Sequence, residues 1–432
     1  MIEAGFHEEK LEFPTSIAMS GYYTIRARNA VGYHDPLKAR ALYIESGGES
    51  LIILSLDLIA VDLNLSNELR RKIERILGIP RTNILVTATH THSGPEIGSL
   101  GILGDAMGLT LPLEIEELRI HIIEKAFVAI EKAVRKILPS KLYIWESSIQ
   151  GLCANRIDPG KPQDPRVISL LIENVNRERS ALINLACHPT VLGSDNRLYS
   201  NDFLFYLEQG LKGSIESLDS VVFVNGACGN LSTRFTRRES SYEEADRIGR
   251  SIASRIVEGY RFRSELKVLE LTSLSKEIFI KLSNALEKSF NSNHNELNLN
   301  ALYGSPSSIP SKRTFAIALG IEIRGKLAKL LKERGAAYVE GEVNVMKASI
   351  GKNKCLALVG IPGEAFAEHG IRIRSLVRCG LTIIAGYSNG YIGYLPAHGY
   401  EGEYETLISL VGVEGAEKLI WVIEDILKNL LH

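Results

Sequence analysis

One stretch of the sequence, residues 84–96, constrains the fold more than any other. It begins with a short apolar run rich in β-branched residues, Ile84-Leu-Val-Thr-Ala88, which is typical of a buried strand. It ends in the turn signal Ser93-Gly-Pro95. His90 and His92 lie between the two, and on an extended chain both imidazoles would point to the same side. The pattern predicts either two histidines that converge on one metal ion or substrate atom, or two polar residues where a strand reaches the surface.

Other apolar strands end in the same way, with a polar residue inside a turn that contains Gly or Pro. The clearest cases are His188, Asn225, Glu364 and the pair Tyr391 and Tyr394. Sites in open α/β sheets form just beyond strand ends, where loops face solvent. A strand–helix–strand order near the N-terminus and amphipathic helices elsewhere complete the pattern. We therefore expect an α/β fold in which mixed β-sheets are flanked by helices.

Size and composition narrow the class of protein. The 432 residues exceed one typical core, so one large or two fused α/β units are expected. The 50 Lys and Arg residues against 51 Asp and Glu leave no basic excess, which argues against a nucleic-acid or membrane-surface partner. The first ten residues lack a signal-peptide pattern, and no run of about 18 apolar residues predicts an integral membrane segment.

The cysteines are an odd number, widely spread, and form no Cys-x-x-Cys pair. This spacing argues against a disulfide framework or a cysteine zinc cluster, and it makes the cytoplasm the default location. We expect all of them to be small buried side chains: Cys153, Cys187, Cys228, Cys355 and Cys379.

Residues 282–314 are richer in Asn, Ser and Pro than the rest of the chain. A mobile lid and a long surface connection would both have such a composition. The connection is the favoured interpretation.

Two acids lie close to the motifs. Asp57 ends an apolar strand, where it would be either a partner of a histidine or a strand-end cap. Asp202 precedes a predicted helix, and a capping role is favoured over the orientation of a ligand.

Two histidines and a carboxylate are a common ligand set for a catalytic zinc ion and leave one position open for water. His90, His188 and Glu364 would supply that set from three strand ends, although spacing alone does not bring them together. Competing metal motifs fit less well. The His-x-His pair is not followed by the Asp-His of a metallo-β-lactamase, and it does not lie on the first strand of an eightfold repeat, as in an amidohydrolase barrel. A Gly-rich phosphate loop is also absent from the sequence.

Six motifs follow one another along the chain: Thr89-His-Thr-His-Ser-Gly-Pro95, Asn155-Arg156, Asn184-Leu-Ala-Cys-His-Pro-Thr190, Asn225-Gly-Ala-Cys-Gly-Asn-Leu-Ser232, Ile361-Pro-Gly-Glu364 and Asn389-Gly-Tyr-Ile-Gly-Tyr394. Together they resemble the motifs of the neutral/alkaline, non-lysosomal ceramidases, zinc amidases that split a fatty acyl amide. Each motif is weak alone, but six in the same order are specific. The resemblance runs from about residue 20 to 405 and implies one large catalytic domain, residues 1–432, with α-β-β-α-like layers.

Carried over by position, the resemblance implies one zinc ion per chain, held by His90, His188, Glu364 and Tyr394, with a water completing the shell. Tyr391 is the alternative to Tyr394 as the phenolic ligand. Glu364 is the alternative choice for a general base rather than a ligand.

The resemblance also implies three residues that contact the substrate. His92 would face the substrate and could relay a proton to the leaving amine. Arg156 would clamp the amide oxygen or a neighbouring hydroxyl and stabilise negative charge there. Tyr404 would be a further substrate contact.

The sequence departs from the ceramide-cleaving members of that family in two ways. It ends soon after the tyrosine motif, where those members have a further β-sandwich domain, and Asn230 stands where their motif has Asp. Residues 225–238 look more like the short branch of the family. The expected function is zinc-dependent hydrolysis of linear amides in lipid metabolism, and N-acyl amides of the N-acylsphingosine type are the leading substrate class.

Three other functions remain open. The first is a zinc hydrolase of another bond, such as an ester or a cell-envelope amide, and the second is a non-catalytic binding protein on the same scaffold. The third is a serine hydrolase that uses Ser232, although the segment is not Gly-x-Ser-x-Gly. The basic run Arg234–Arg238 fits a solvated loop better than a site for an anionic group. The sequence does not indicate the oligomeric state.

Overall fold

The structure, a computed structural model, describes residues 2–22, 28–109, 111–284, 286 and 312–431. The predicted connection or lid, residues 282–314, lies for the most part outside the described residues and stays a prediction. The helices are α1 (Leu63–Leu77), α2 (Gly101–Ala106), α3 (Ile115–Arg135), α4 (Phe203–Ser214), α5 (Tyr242–Tyr260), α6 (Lys312–Glu333), α7 (Ala367–Leu376), α8 (Tyr404–Leu407) and α9 (Gly412–Leu431).

The strands fall into two larger sheets and several short pairs. They are β1 (Ile2–Leu11), β2 (Gly32–Tyr33), β3 (Leu37–Ser46), β4 (Glu49–Leu56), β5 (Ile84–Ala88), β6 (Leu138–Ser148), β7 (Ala154–Asn155), β8 (Arg166–Asn174), β9 (Arg179–Leu185), β10 (Leu198–Tyr199), β11 (Leu218–Asn225), β12 (Leu231–Ser232), β13 (Ser264–Leu266), β14 (Glu270–Lys281), β15 (Tyr338–Gly351), β16 (Lys354–Gly360), β17 (Glu364–Ala365), β18 (Gly380–Ala385) and β19 (Tyr394–Leu395).

The larger sheet is mixed in direction. Its strands follow the order β11-β9-β8-β6-β1-β3-β4-β5, and β13 pairs with β6. The pairs β11 with β9 and β4 with β5 are parallel, whereas the pairs between them are antiparallel. The parallel pairs therefore lie at the two ends of the strand order.

The smaller sheet has the order β14-β15-β16-β18. Its first three strands are antiparallel, with β14 and β15 paired from Glu270 opposite Ser349 to Lys281 opposite Tyr338. The last pair, β16 with β18, is parallel. This sheet is thus mixed as well.

The elements stack in four layers. One apolar core lies between the larger sheet and helices α1, α3, α4 and α5, a second lies between the two sheets, and a third lies between the smaller sheet and helices α6, α7 and α9. Consecutive residues of strand β15 are buried in different cores, because their side chains point to opposite faces of the sheet: Val345 packs toward the helices and Met346 toward the larger sheet. These layers confirm the prediction of an α/β fold with mixed sheets flanked by helices in α-β-β-α order. None of the described helices combines the length and apolar character that crossing a membrane requires.

Capping residues set the ends of two helices that lead toward the strand ends. Asp62 caps α1, since its carboxylate accepts a hydrogen bond from the Leu65 backbone N–H at 3.0 Å. Asp202 caps α4 by accepting from the backbone N–H of Phe203 at 2.7 Å. The prediction that Asp202 is a helix cap is therefore confirmed.

The prediction for the cysteines is wrong in one respect. The structure pairs Cys153 with Cys187 and Cys355 with Cys379 as disulfides, and among the described residues it leaves Cys228 free and buried. The partners are 34 and 24 residues apart in the sequence. Strand pairing brings Cys355 and Cys379 together, because Cys355 lies in β16 and Cys379 directly precedes its parallel neighbour β18. Cysteines that are paired because their strands are neighbours in a sheet need no fixed spacing in the sequence, so no spacing motif indicates such a disulfide.

The two ends of the larger sheet meet at their carboxyl edges. The Ser55 hydroxyl of β4 donates to the Phe223 carbonyl of β11 at 2.6 Å. The Asn225 amide donates to the Thr89 carbonyl at 3.1 Å, just after β5. The Gly386 N–H, just after β18 of the smaller sheet, donates to the Asn225 carbonyl at 2.9 Å. Asn225 therefore joins the ends of three strands, and the loops that follow them share one region.

Candidate active site

His90 is held by its backbone and by its ring. It follows β5 in the left-handed region, with φ at 66°, which is uncommon for a residue with a side chain. Its ring lies 4.0 Å from that of Tyr387, nearly parallel to it, and its Nδ1 is 2.6 Å from the Ile59 carbonyl. That carbonyl can only accept, so Nδ1 carries the proton and Nε2 presents a lone pair.

His188 is held in the same tautomer. It comes shortly after β9, and its Nδ1 is 2.7 Å from the Cys228 carbonyl, so its Nε2 also presents a lone pair. The loop that supplies this carbonyl packs tightly: a Cβ on Gly229 would lie 2.3 Å from the Glu364 carbonyl oxygen. Only glycine fits there, which explains the Gly-rich segment after β11.

Glu364 faces both histidines. Its Oε2 lies 3.1 Å from His188 Nε2 and 3.4 Å from His90 Nε2. The Tyr391 hydroxyl donates to Oε1 at 2.6 Å, and the Tyr387 hydroxyl lies 3.5 Å from Oε2. The structure thus brings together three of the four predicted metal ligands at the ends of β5, β9 and β16.

The cluster is rich in lone pairs and poor in protons. Burial, reinforced by the Arg156 cation, lowers the pKa of His188 to about 3, so this imidazole is neutral at neutral pH. Burial alone would raise the pKa of Glu364, but His90 and His188 outweigh it and hold that pKa well below its usual value. In the neutral tautomer that each Nδ1 contact favours, both Nε2 lone pairs face the Glu364 carboxylate and repel it. A divalent cation such as zinc fits this donor set, and it would turn that repulsion into attraction.

His92 lies in the same cluster. Its Nε2 is 3.2 Å from His90 Nε2, and one ligand atom from each of His90, His92 and His188 falls within 4.8 Å of the others. Among the described residues its Nδ1 has no hydrogen-bond partner. His92 is thus near enough to act as a ligand as well as a substrate contact, and its predicted role toward the substrate stays a prediction.

Arg156 and Tyr394 form a pair beside the cluster. The Arg156 guanidinium donates to the Tyr394 hydroxyl oxygen at 3.1 Å and to the Gly229 carbonyl at 2.7 Å, and its Nε is 2.8 Å from Glu405. Tyr394 lies opposite Glu364 in the β17–β19 pair. Since Tyr391 bonds to Glu364 and Tyr394 to Arg156, both phenols adjoin the cluster, and the choice of Tyr394 as ligand stays a prediction.

The cluster forms part of the wall of a cavity of about 590 Å³. Such a volume is typical of sites that bind small organic ligands. His90, His92, Arg156 and Glu364 all line it, and so does Tyr404, the third residue predicted to contact substrate. Apolar side chains line another part of the wall: Ile59, Leu100, Leu103, Met107, Phe315, Leu319 and Ile408.

Two residues beside the site carried no signal in the sequence analysis. Tyr387 stacks on His90 and is fully buried, and its pKa is raised well above the usual value, first by burial and then by Cys228 and Glu364. Glu405 pairs with the buried Arg156 cation. The Gly-Tyr turn after β18 was a sequence signal that could have identified Tyr387, whereas no motif or turn next to Glu405 indicates its role.

Asp57 contacts no histidine. It accepts two hydrogen bonds from Arg40, both at 2.8 Å, one from the Asn201 amide and one from the Lys38 backbone N–H. The interpretation of Asp57 as a partner of a histidine is therefore wrong, because a buried arginine on the neighbouring strand binds it instead.

Comparison with known proteins shows which solved structures share this fold. No protein-family model matches the chain. The crystal structure of neutral ceramidase from Pseudomonas aeruginosa superposes with a TM-score of 0.76 at 19% identity, over 100% of this chain and 74% of that one. A ceramidase complexed with C2 gives 0.74 at 18% identity, over 98% and 74%. In sequence, the curated neutral ceramidase of Pseudomonas aeruginosa is 26% identical over 246 residues. The chain thus shares the fold of the solved neutral ceramidase and is similar in sequence to a neutral ceramidase over about half of its length.

The sequence match to the curated neutral ceramidase covers 52% of this chain and only 36% of that protein's length.

One departure from the ceramidase motif, Asn230 in place of Asp, has a structural reason in this chain. The Asn230 amide donates to Glu368 at 2.9 Å, while its oxygen accepts from the Ala367 backbone N–H at 2.8 Å. An aspartate at that position would place a second carboxylate against Glu368, so the amide suits this chain.

Proposed function

We propose that the protein is a zinc-dependent hydrolase that splits linear N-acyl amides, as the ceramidase resemblance implies. The single observation that supports it best is the convergence of His90 Nε2 and His188 Nε2 on Glu364 Oε2, beside a cavity that His90 and Glu364 line and that also has an apolar part. The similarity to neutral ceramidases in fold and in sequence supports the choice of an amide bond.

The proposed ligands are His90, His188, Glu364 and Tyr394. A zinc ion bound there would lower the pKa of water and polarise the carbonyl of the substrate. The tautomers argue for the first two ligands, because both Nδ1 atoms are engaged by backbone carbonyls and both Nε2 atoms are free to bind a cation.

Arg156 is proposed to stabilise the oxygen of the amide as negative charge develops on it. Its guanidinium is permanently charged, buried and held by Glu405 and Tyr394, so it needs little rearrangement during the reaction. His92 is proposed to pass a proton to the leaving amine. Its ring is packed against Tyr22 at 4.9 Å between centroids, which keeps it on the cavity wall.

The apolar part of the wall is proposed to hold the acyl chain. Leu103 comes from α2 and Leu319 from α6, and both belong to the core around the smaller sheet. An acyl chain that replaces water there gains about 0.8 kcal/mol per buried methylene. We therefore expect N-acyl amides with long chains to be better substrates than N-acetyl amides.

The test is hydrolysis of a series of N-acyl amides, measured as release of the free amine. We expect activity in the protein as purified, loss after dialysis against a chelator, and recovery on addition of zinc. Ser232→Ala should retain activity, because the Ser232 hydroxyl accepts a hydrogen bond from the Arg234 backbone N–H at 3.2 Å and, among the described residues, forms none with a histidine. Activity that survives chelation and is lost in Ser232→Ala would support a serine hydrolase. Hydrolysis of the matching esters alone would make the protein an esterase.

A further inference from the structure

The cavity contains a basic part that the proposed chemistry does not use. Arg234 and Arg237 lie in the loop after β12, are half-buried and line the same cavity as the metal cluster. Their place on the wall differs from the solvated loop that the sequence favoured for residues 234–238. Arg238, next in the chain, also lines the cavity, but it is exposed.

Both arginines are held by backbone carbonyls rather than by acids. Arg234 Nη1 is 3.4 Å from the Arg156 carbonyl, and Arg237 Nη1 donates to the carbonyls of Thr190 and Val191, the latter at 3.3 Å. Within the part of the chain that the structure describes, neither guanidinium forms an ion pair with a carboxylate. Each has five N–H donors, so donors remain available to a ligand.

The carboxylates nearby are already engaged. Glu405 pairs with Arg156, and Glu364 belongs to the metal cluster. Glu239, the other acid in the cavity lining, accepts from the Ser241 hydroxyl at 2.9 Å. Burial lowers the pKa of Arg234, and the positive charges of Arg156 and Arg237 lower it further. An anion placed between these cations would relieve their mutual repulsion.

We infer that the substrate is an N-acyl amide whose amine half bears an anionic group, a carboxylate or a phosphate, which Arg234 and Arg237 bind. The inference rests on the proposed function, since an acyl chain on the apolar wall leaves the basic wall for the amine half. Both arginines adjoin the reacting end of the cavity. Arg234 contacts the backbone of Arg156, and Arg237 contacts the chain just after His188. Guanidinium groups bind carboxylates and phosphates in a forked geometry, and that fixes the orientation of the amide as well.

The kinetic test uses three dodecanoyl amides that differ only in the amine half: glycine with a carboxylate, O-phosphoethanolamine with a phosphate, and ethanolamine without charge. We expect at least one anionic amide to exceed the neutral amide by about tenfold in kcat/KM, mainly through KM. Arg234→Gln and Arg237→Gln should each remove most of that preference, so that kcat/KM falls more for the anionic amides than for the neutral amide, while Arg234→Lys should restore part of the preference. Arg250→Gln, on the exposed surface of α5, is the matched control.

A binding test separates this inference from the proposed function. Titration calorimetry on chelator-treated protein measures the affinity of the same three amides without any hydrolysis. Tighter binding of an anionic amide that Arg234→Gln abolishes upholds the anion site, even if no amide is hydrolysed and the proposed function fails. Equal affinity for all three amides, or an Arg234→Gln variant that weakens all three alike, overturns the inference. If the anion site is upheld, the affinities of the carboxylate amide and the phosphate amide show which anion is preferred.

Discussion

The protein has two buried polar clusters beside the larger sheet, and they differ in how their charge is balanced. In the first, His90, His188 and Glu364 present lone pairs to one another at 3.1 and 3.4 Å. In the second, cations and carboxylates alternate at 2.7 to 3.0 Å. The members of this second cluster are Lys38, Arg40 and Lys212 with Glu8, Asp57 and Glu208.

The two clusters are neighbours. Asn201 donates to Asp57 at 2.8 Å and accepts from the Thr89 hydroxyl at 3.1 Å, one residue before His90. Arg40, Asp57 and Glu208 are as buried as the members of the first cluster, while Glu8 and Lys212 are partly exposed. The main difference lies in the ions that the chain supplies. The charges of the second cluster balance within the chain, whereas the first is proposed to take a cation from outside. This contrast is the physical basis for separating a structural cluster from a functional one.

The largest expected effect is on catalysis by the first cluster. His188→Ala should lower kcat/KM for the N-acyl amide by at least about a thousandfold, because a bound metal supplies several kcal/mol of transition-state stabilisation. Steady-state kinetics measure this, with His398→Ala, an exposed histidine, as the control. A variant within tenfold of the wild type would remove His188 from the proposed site.

The second cluster should respond in stability rather than in activity. Asp57→Asn leaves the buried Arg40 cation without its closest counter-charge and should cost about 3 to 5 kcal/mol of the free energy of unfolding. Urea denaturation measures it, and Asp425→Asn at an exposed position is the control. A loss below about 1 kcal/mol would show that water or another group compensates Arg40.

The second cluster should also make stability depend on pH. Burial alone would raise the pKa of Glu208, but Arg40, Lys38 and Lys212 outweigh it and lower that pKa to about 2. A folded pKa below the unfolded value gives stability that is present above about pH 4.5 and is lost as the pH falls toward 2. The wild type should lose on the order of 3 kcal/mol more than Glu208→Gln between pH 5 and 2. Parallel stability profiles of the two metal-free proteins would contradict the assignment.

A smaller effect is expected from the residue that supports the first cluster. Tyr387→Phe keeps the ring that stacks on His90 and removes the hydroxyl near Glu364. Metal affinity should fall by about tenfold, since groups that orient ligands have effects of that size. Competition with a chromophoric chelator measures the affinity. An unchanged affinity would limit Tyr387 to packing.

The residues of the first cluster were accessible to sequence reasoning because each follows an apolar strand. His90, His188 and Glu364 were predicted in this way, and the structure brings them together. The α/β class with mixed sheets flanked by helices was predicted from the same strands and the amphipathic helices, and the α-β-β-α layers from the resemblance to the ceramidases. The motifs did not determine the position of His92. The spacing of His90 and His92 predicts a common side only on an extended strand, and the backbone at His90 leaves the extended conformation with φ at 66°.

The second cluster and the disulfides were not predictable from local patterns. In the sequence, Arg40 cannot be told apart from an ordinary charged residue on the solvent-facing side of a strand. Its partner Glu208 lies 168 residues further along the chain. Cys153 and Cys187 meet only through the packing of the loops around the site. Long-range pairing has no signature within a window of the chain, so its prediction requires the fold.

The central claim is that the first cluster binds a metal ion and the second does not. Elemental analysis of protein purified from zinc-supplemented medium tests it most directly, on the wild type beside His188→Ala, Glu364→Gln and Glu208→Gln. We expect about one zinc ion per chain in the wild type and in Glu208→Gln, and little or none in the other two variants. A wild type without metal, or zinc retained in both His188→Ala and Glu364→Gln, would contradict it.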